Sequence, residues 1–193
     1  AISCQAAADG KNFSFAYQKG KTRFEEVCGL EKELKQSIEE GITFLKTAKD
    51  AETGDFPVIL SPEAAGVFAH ESFGHKSEAD FMLGDETMKK EWSIGKKVGS
   101  DGLSIIESGT FEGCGYVPYD DEGTRATRTY LIKNGFLAGR LHSAETAAEL
   151  GEAVTGNARA MGTEFEPIVR MTTTVIESGD KTLEQLVAGV KKG

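Results

Sequence analysis

The hydrophobic pattern changes its period near residue 50, and this change restricts the folds open to the chain. From about Thr22 to Lys49, apolar residues recur every three or four positions with charged residues between them. This spacing predicts a long amphipathic helix, with a break at Gly29 or at Gly41. Before it, two short runs flank the turn signal at residues 9–11, and they predict a β-hairpin.

The second part of the chain predicts short helices and antiparallel strands. Ser61, Pro62 and Glu63 are typical of a helix start, and this helix should run to about Ala79. Strands are predicted at 57–60, 104–107, 127–132, 136–141 and 168–176, and further helices at 82–92, 144–151 and 183–191. We therefore expect an α+β protein, in which an antiparallel β-sheet packs with the helix that begins at Pro62, preceded by the hairpin and the long helix.

A polar stretch at residues 50–55 marks the predicted boundary between residues 1–52 and residues 53–193. The apolar stripe of the helix that follows should face the core and comprises Ala65, Phe68, Ala69 and Phe73. The start at Ala1 has neither Met nor a basic leader, which indicates a segment of a longer protein.

Charge and cysteine content exclude several classes of function. The formal net charge of −9 disfavours direct contact with nucleic acid, which requires clustered cations. The three Cys, at positions 4, 28 and 114, are an odd and scattered set that suggests reduced thiols and a cytoplasmic location. Apolar runs are far shorter than the roughly 20 residues that span a bilayer, so no membrane association is expected.

The run HESFGH at residues 70–75 contains two of the three His of the chain, with Glu71 directly after the first. Two imidazoles and a neighbouring carboxylate are what a zinc peptidase needs to hold its metal and to take a proton from water. Residues five apart lie about 140° apart around a regular helix. For His70 and His75 to reach one ion, the helix must widen or end, and Gly74 allows either.

Other interpretations of these residues remain open. Both His could be structural, or Glu71, His75 and Glu78 could form a metal site on one face of an undistorted helix. Catalytic zinc usually has three protein ligands, and Cys114 and His142 are candidates for the third.

The acidic turn at Asp120, Asp121 and Glu122 precedes a glycine. A solvated turn is the simpler interpretation of this cluster. The functional one is a loop that lines the cleft, bonds a ligand His, or binds the amino terminus of a substrate.

Several motifs in sequence order resemble the TldD/PmbA family of zinc peptidases, once described as modulators of DNA gyrase. The matching segments are PVILSP (57–62), HESFGHKSEAD (70–80), YDDEG (119–123), LIKNG (131–135), TGNARA (155–160) and PIVRMT (167–172). The resemblance extends from about residue 35 onward, and the intact His-Glu-x-x-x-His motif places the chain on the TldD side.

The resemblance implies that His70 and His75 are zinc ligands and that Glu71 is the general base in the hydrolysis of unfolded or modified peptides. The family's third ligand is a Cys near the end of its full-length proteins, which none of the three Cys here matches. We therefore expect that ligand outside this chain and little activity of the chain alone. Residues 1–52 would be the tail of the family's middle segment and 53–193 the first half of its catalytic domain.

The resemblance also implies a dimer, formed with a second copy or with a PmbA-like subunit. The alternative function is a non-catalytic partner or regulatory module of a peptidase complex, of the gyrase-modulator type. An intact Glu71 between two imidazoles favours the enzyme, because a scaffold does not need that carboxylate.

Overall fold

The hairpin and the long helix form the first of two compact units, which comprises residues 1–56 and 112–114. The structure is a computed structural model that describes residues 1–8 and 10–191. Strand β1 (Ile2–Ala8) pairs antiparallel with β2 (Lys11–Tyr17). Helix α1 (Glu31–Thr47) packs against both strands, and the Phe13 and Phe44 rings lie 4.6 Å apart.

The predicted long helix is shorter than its apolar pattern indicates. A 3-10 turn at Phe24–Val27 precedes α1, and Gly29 between them has φ +69°, which breaks the helix as predicted. Gly41 does not break it. A Cβ at Gly41 would lie 2.5 Å from the Phe15 ring, so the glycine allows α1 to approach the hairpin closely.

The second unit, residues 57–111 and 115–193, is built on a four-stranded antiparallel sheet with strand order β5-β4-β3-β8. Its strands are β3 (Ile105–Glu107), β4 (Thr129–Lys133), β5 (Phe136–Leu137) and β8 (Thr174–Ile176). The β4–β5 turn has positive φ at Asn134 and Gly135, which is the backbone conformation that an Asn-Gly pair favours in a two-residue hairpin turn. A separate ribbon pairs β6 (Ala158–Arg159) with β7 (Ile168–Val169), so the predicted strand 168–176 is two strands.

The α-helices described in this unit are α2 (Pro62–Ala69), α3 (Glu86–Glu91), α4 (Ala144–Leu150) and α5 (Leu183–Ala188). Helix α2 begins where predicted, with the Ser61 hydroxyl accepting from the Ala64 amide, and it packs against β8. The expected α+β fold with an antiparallel sheet is confirmed.

Helical backbone continues beyond α2, although not as α-helix. A π-helical turn occupies His70–Gly74, and 3-10 turns follow at His75–Ser77 and Ala79–Met82. Ala69 is fully buried and Phe73 packs against the core, as predicted. Phe68 is 54% exposed, so its place in the predicted stripe is wrong.

The predicted strand at residues 57–60 is also wrong. This segment has no regular secondary structure and pairs with no other strand in the described part of the chain. Its apolar side chains are exposed, with Val58 at 70%. Without a neighbour to satisfy its backbone groups, an apolar run does not form a strand. Among the described residues, no helix has both the length and the apolarity needed to cross a membrane.

Gly74 lies where the π turn meets the core, and a Cβ there would overlap the Met171 sulfur. We expect Gly74→Ala to lower the free energy of unfolding by about 1–3 kcal/mol, because the buried Met171 must move. Urea unfolding followed by circular dichroism measures this change.

The matched control is Gly66→Ala on α2, where a Cβ would meet nothing within 4 Å. This change should be neutral or stabilising by up to about 1 kcal/mol, because Ala favours a helix over Gly. Equal effects of the two substitutions would show that Gly74 acts through backbone flexibility rather than packing.

Candidate active site

The π-helical turn allows His70 and His75, which are five residues apart, to lie on the same side of the helix. The His75 amide donates to the His70 carbonyl, which is an i to i+5 bond in place of the α-helical i to i+4 bond. The two imidazole rings consequently lie on one side of the turn, with centroids 4.8 Å apart and planes at 78°. The helix therefore widens between His70 and His75, which is one of the two outcomes that their spacing predicts.

Glu71 completes a group of three potential metal donors. One donor atom from each of His70, Glu71 and His75 lies within 4.8 Å of the others, and a Glu71 carboxylate oxygen is 3.9 Å from His75 Nε2. The Glu71 side chain is 64% exposed and that of His75 is 37% exposed, so solvent can reach both. The three predicted site residues are therefore adjacent.

The donor set fits zinc. Imidazole nitrogen and carboxylate oxygen are common zinc ligands, and they bind at about 2.0–2.2 Å. Zinc in proteins is usually tetrahedral, so two donors of one ion lie about 3.3–3.6 Å apart. The donor atoms of the observed group lie up to 4.8 Å apart, so side-chain rotations must bring them closer by about 1 Å for them to share one ion.

Glu78 holds His75 from the side opposite Glu71. One Glu78 oxygen lies 3.2 Å from His75 Nδ1, and the other accepts from the Met171 amide at 3.3 Å. The Glu78 side chain is only 4% exposed. Because Glu71 faces Nε2 and Glu78 faces Nδ1, the alternative site of Glu71, His75 and Glu78 cannot enclose one ion.

The two candidates for a third ligand lie outside this group. His142 is 1% exposed, and its ring nitrogens lie 3.1 Å from Thr146 Oγ1 and from a Glu152 oxygen, so both are engaged. Cys114 clusters with the first compact unit, whereas the histidine pair is in the second. Neither residue extends the donor group among the described residues.

The carboxylates of the acidic turn at residues 120–122 accept hydrogen bonds from backbone amides. Asp120 is 6% exposed and accepts from the amides of Glu122, Thr124 and Ala158. Asp121 accepts from the Ala160 amide, and Glu122 accepts from the amide of Ala144, the first residue of α4. The interpretation of a solvated turn is wrong for Asp120, and no described bond joins these carboxylates to a histidine.

A cavity of about 390 Å³ adjoins the histidine pair. It is lined by His70, His75, Glu78, Arg159, Ala160, Met161, Arg170 and Met171. The sequence does not single out the two arginines as site residues. Their only signal is their place in the TGNARA and PIVRMT segments, which are far from residues 70–75 in the chain.

Glu107 is a second buried carboxyl in this region, 1% exposed. It accepts from both the amide and the hydroxyl of Thr172, the residue after Met171. Burial raises the pKa of Glu107, although the Thr172 bonds and the charge of Arg159 act in the opposite direction. This carboxyl thus links the core strand β3 to the segment that lines the cavity.

The comparison with known families is decisive. Residues 53–193 match the family described as the PmbA/TldA metallopeptidase C-terminal domain. The chain belongs to the PmbA/TldD metallopeptidase family. This confirms the family indicated by the motifs.

Relatives of this PmbA/TldD chain include named metalloproteases. It is 39% identical over 193 residues to a metalloprotease of Methanocaldococcus jannaschii, an alignment that covers 100% of this chain and 42% of that protein. It is 37% identical over 142 residues to the zinc metalloprotease TldD homolog of Saccharolobus solfataricus, covering 72% of this chain and 31% of that protein. The chain thus spans less than half the length of these relatives.

Solved structures share the fold. A candidate DNA gyrase modulator from Thermotoga maritima is 25% identical with a TM-score of 0.71, and the match covers 94% of this chain and 40% of that one. TldE from Thermococcus kodakarensis is 18% identical with a TM-score of 0.61, covering 82% of this chain and 36% of that one. The TldE likeness shows the fold alone.

The raised pKa of Glu107 predicts how stability changes with pH. In the unfolded chain a Glu titrates near 4.3, so the folded PmbA/TldD chain holds this proton more tightly. Glu107 therefore contributes fully to the free energy of unfolding of the wild type below pH about 4.3. This contribution is lost as pH rises through the pKa of Glu107 in the folded chain. The stability of Glu107→Gln relative to wild type should increase over that window.

Urea unfolding at a series of pH values from 4 to 8 measures this difference. Glu164→Gln, which changes an exposed carboxyl in the same unit, is the matched control. If the stability of Glu107→Gln relative to wild type decreased as pH rises, the raised pKa of Glu107 would be contradicted.

Proposed function

We propose that the full-length protein is a zinc-dependent peptidase that hydrolyses peptide bonds in unfolded or modified peptides, and that this chain carries its catalytic group. The observation that carries the proposal is the convergence of His70, Glu71 and His75 on the π turn, within 4.8 Å of one another. Membership of a metallopeptidase family and the zinc named in the S. solfataricus relative support it.

In this proposal His70 and His75 hold the zinc. Catalytic zinc usually has three protein ligands, and the described residues bring no further His or Cys into the group. We propose that the third ligand comes from another part of the full-length protein, outside residues 1–193. Zinc held there would polarise the carbonyl that is attacked and make water more acidic.

Glu71 is the general base in this proposal. Its exposed carboxylate lies on the Nε2 side of His75, where water and substrate have access. It takes a proton from the attacking water and returns the proton to the leaving amine. Because the same carboxylate performs both transfers, its removal should affect turnover more than substrate binding.

Glu78 positions His75. A buried carboxylate at Nδ1 keeps the proton on that nitrogen and leaves Nε2 free to bind a metal. The bond from the Met171 amide to the second Glu78 oxygen fixes this carboxylate in turn. Glu78 is thus the link between the histidine turn and the segment that follows β7.

The remaining proposals concern the whole protein. We propose a dimer, formed with a second copy or with a PmbA-like subunit, and the fold shared with TldE is compatible with either. The proposed domain roles of residues 1–52 and 53–193 also stay predictions. The second candidate function, a non-catalytic partner within a peptidase complex, is distinguished by whether the protein hydrolyses peptides at all.

Glu71→Gln in the full-length protein should reduce kcat for an unfolded peptide by about 10²- to 10⁴-fold, the usual contribution of a general base. The zinc content should stay that of wild type, because the proposal gives Glu71 no place among the ligands. Peptide hydrolysis followed by mass spectrometry and metal analysis of the purified protein measure both quantities.

Glu63→Gln is the matched control, because Glu63 is an exposed carboxylate in the first turn of α2. It should hydrolyse the peptide at the wild-type rate. Equal rates for Glu71→Gln and wild type would rule out the base assignment, and loss of zinc in Glu71→Gln would make it a ligand instead.

Glu78→Gln should weaken zinc binding by about 10- to 100-fold, as is typical when the carboxylate partner of a ligand His is lost. Competition with a chelator measures the affinity, and thermal unfolding of the metal-free protein shows whether the fold is intact. Glu86→Gln, which changes an exposed carboxylate on α3, is the control. If the folded Glu78→Gln protein bound zinc with wild-type affinity, Glu78 would contribute to packing and not to zinc binding.

A further inference from the structure

Two arginines approach the histidine pair from the β6–β7 ribbon. Arg159 ends β6, Arg170 follows β7, and both line the cavity that contains His70 and His75. The ribbon pairs Arg159 with Ile168, and the Arg170 amide donates to the Asn157 carbonyl at 2.9 Å. The two arginines are therefore diagonal neighbours whose side chains project from one face of the ribbon.

The charges of these arginines have little compensation. Within the described residues neither guanidinium lies within 4 Å of a carboxylate. Arg159 donates to the Met171 carbonyl at 2.9 Å, which is a neutral partner, and Arg170 is exposed. Like charges on diagonal positions repel each other, so an anion bound between them would relieve the repulsion.

The nearby carboxylates are engaged elsewhere. Glu78 in the cavity wall bonds His75 and the Met171 amide. Glu107 is 1% exposed and bonds Thr172, so it reaches Arg159 only through its field. The cavity consequently presents two guanidinium groups beside the histidine pair. Glu78 and Glu107 are already bonded to protein groups, and the exposed Glu71 belongs to the group of three donors rather than to the cavity lining.

We propose that Arg159 and Arg170 form a subsite for a carboxylate of the peptide substrate. The planar guanidinium matches a carboxylate with two parallel hydrogen bonds, and the cavity volume of about 390 Å³ is in the range of small-molecule sites. The carboxylate is either the free C-terminus of the peptide or the side chain of an Asp or Glu close to the cleaved bond. The inference rests on the proposed peptidase function and adds a preference among its substrates.

A measurement of peptide binding tests the proposed subsite independently of catalysis. The probe is one fluorescent peptide in three forms, with a free C-terminal acid, with a C-terminal amide, and with a C-terminal amide plus one internal Asp. Fluorescence anisotropy measures their Kd for the full-length Glu71→Gln protein, in which hydrolysis slowed by about 10²- to 10⁴-fold leaves the peptides largely intact during the measurement. The acid should bind about 10- to 100-fold more tightly than the plain amide, as expected for charge-assisted hydrogen bonds.

The variant that tests the subsite directly is Arg170→Gln, because this exposed side chain forms no hydrogen bond or ion pair with the described residues. It should remove the preference for the acid while leaving the affinity for the amide unchanged. Arg159→Lys, which keeps the charge but not the fork, should reduce the preference in part. Arg128→Gln is the control, because Arg128 belongs to the same unit, is paired with Glu177 and lies outside the cavity lining.

The three peptides identify the source of the carboxylate. Tight binding of the acid alone assigns the subsite to the C-terminus, and equally tight binding of the Asp-containing amide extends it to acidic side chains. Equal affinities for all three forms would overturn the proposal, as would an acid preference that survives in Arg170→Gln.

Cleavage of the same peptides by the wild-type protein keeps this inference separate from the proposed function. The amide should show a KM raised by about the same 10- to 100-fold, with kcat little changed. Hydrolysis of the acid and the amide with equal KM would support the peptidase function and contradict the carboxylate subsite. Preferential binding of the acid without any hydrolysis would support the subsite and contradict the peptidase function.

Discussion

The hydrogen bond from the His75 amide to the His70 carbonyl closes a wider turn than an α-helix allows, and the arrangement of the site depends on it. A regular helix would direct these two side chains about 140° apart around its axis. The wider turn brings the rings together and leaves Glu71 exposed beside them. Because the turn also sends Phe73 into the core, the same few residues serve both packing and chemistry.

Features that depend on neighbours in the chain are predictable from the sequence. The Ser61 cap, the Asn134-Gly135 turn and the irregular backbone between the two histidines are of this kind. Each follows from a local rule about backbone conformation or hydrogen bonding within one turn. The family motifs then identify the chemistry that the turn supports, and the match over residues 53–193 agrees with them.

Features that depend on distant partners are not predictable in this way. The run at 57–60 resembles a strand, but no described strand pairs with it, and Phe68 fits the helical stripe yet points to solvent. The burial of Asp120 depends on the Ala158 amide. In the site itself, Glu78 orients His75 only because its other oxygen bonds the Met171 amide, which lies 93 residues further along the chain.

The close approach of Gly74 to Met171 makes the side chains that these two positions tolerate depend on each other. A mutation that adds a side chain at position 74 survives most easily where position 171 has already become smaller. Conversely, a smaller residue at 171 would leave a gap beside the π turn and loosen the support of both histidines. A change at either position therefore alters which side chains the other tolerates, although neither residue contributes a metal-binding atom to the proposed chemistry.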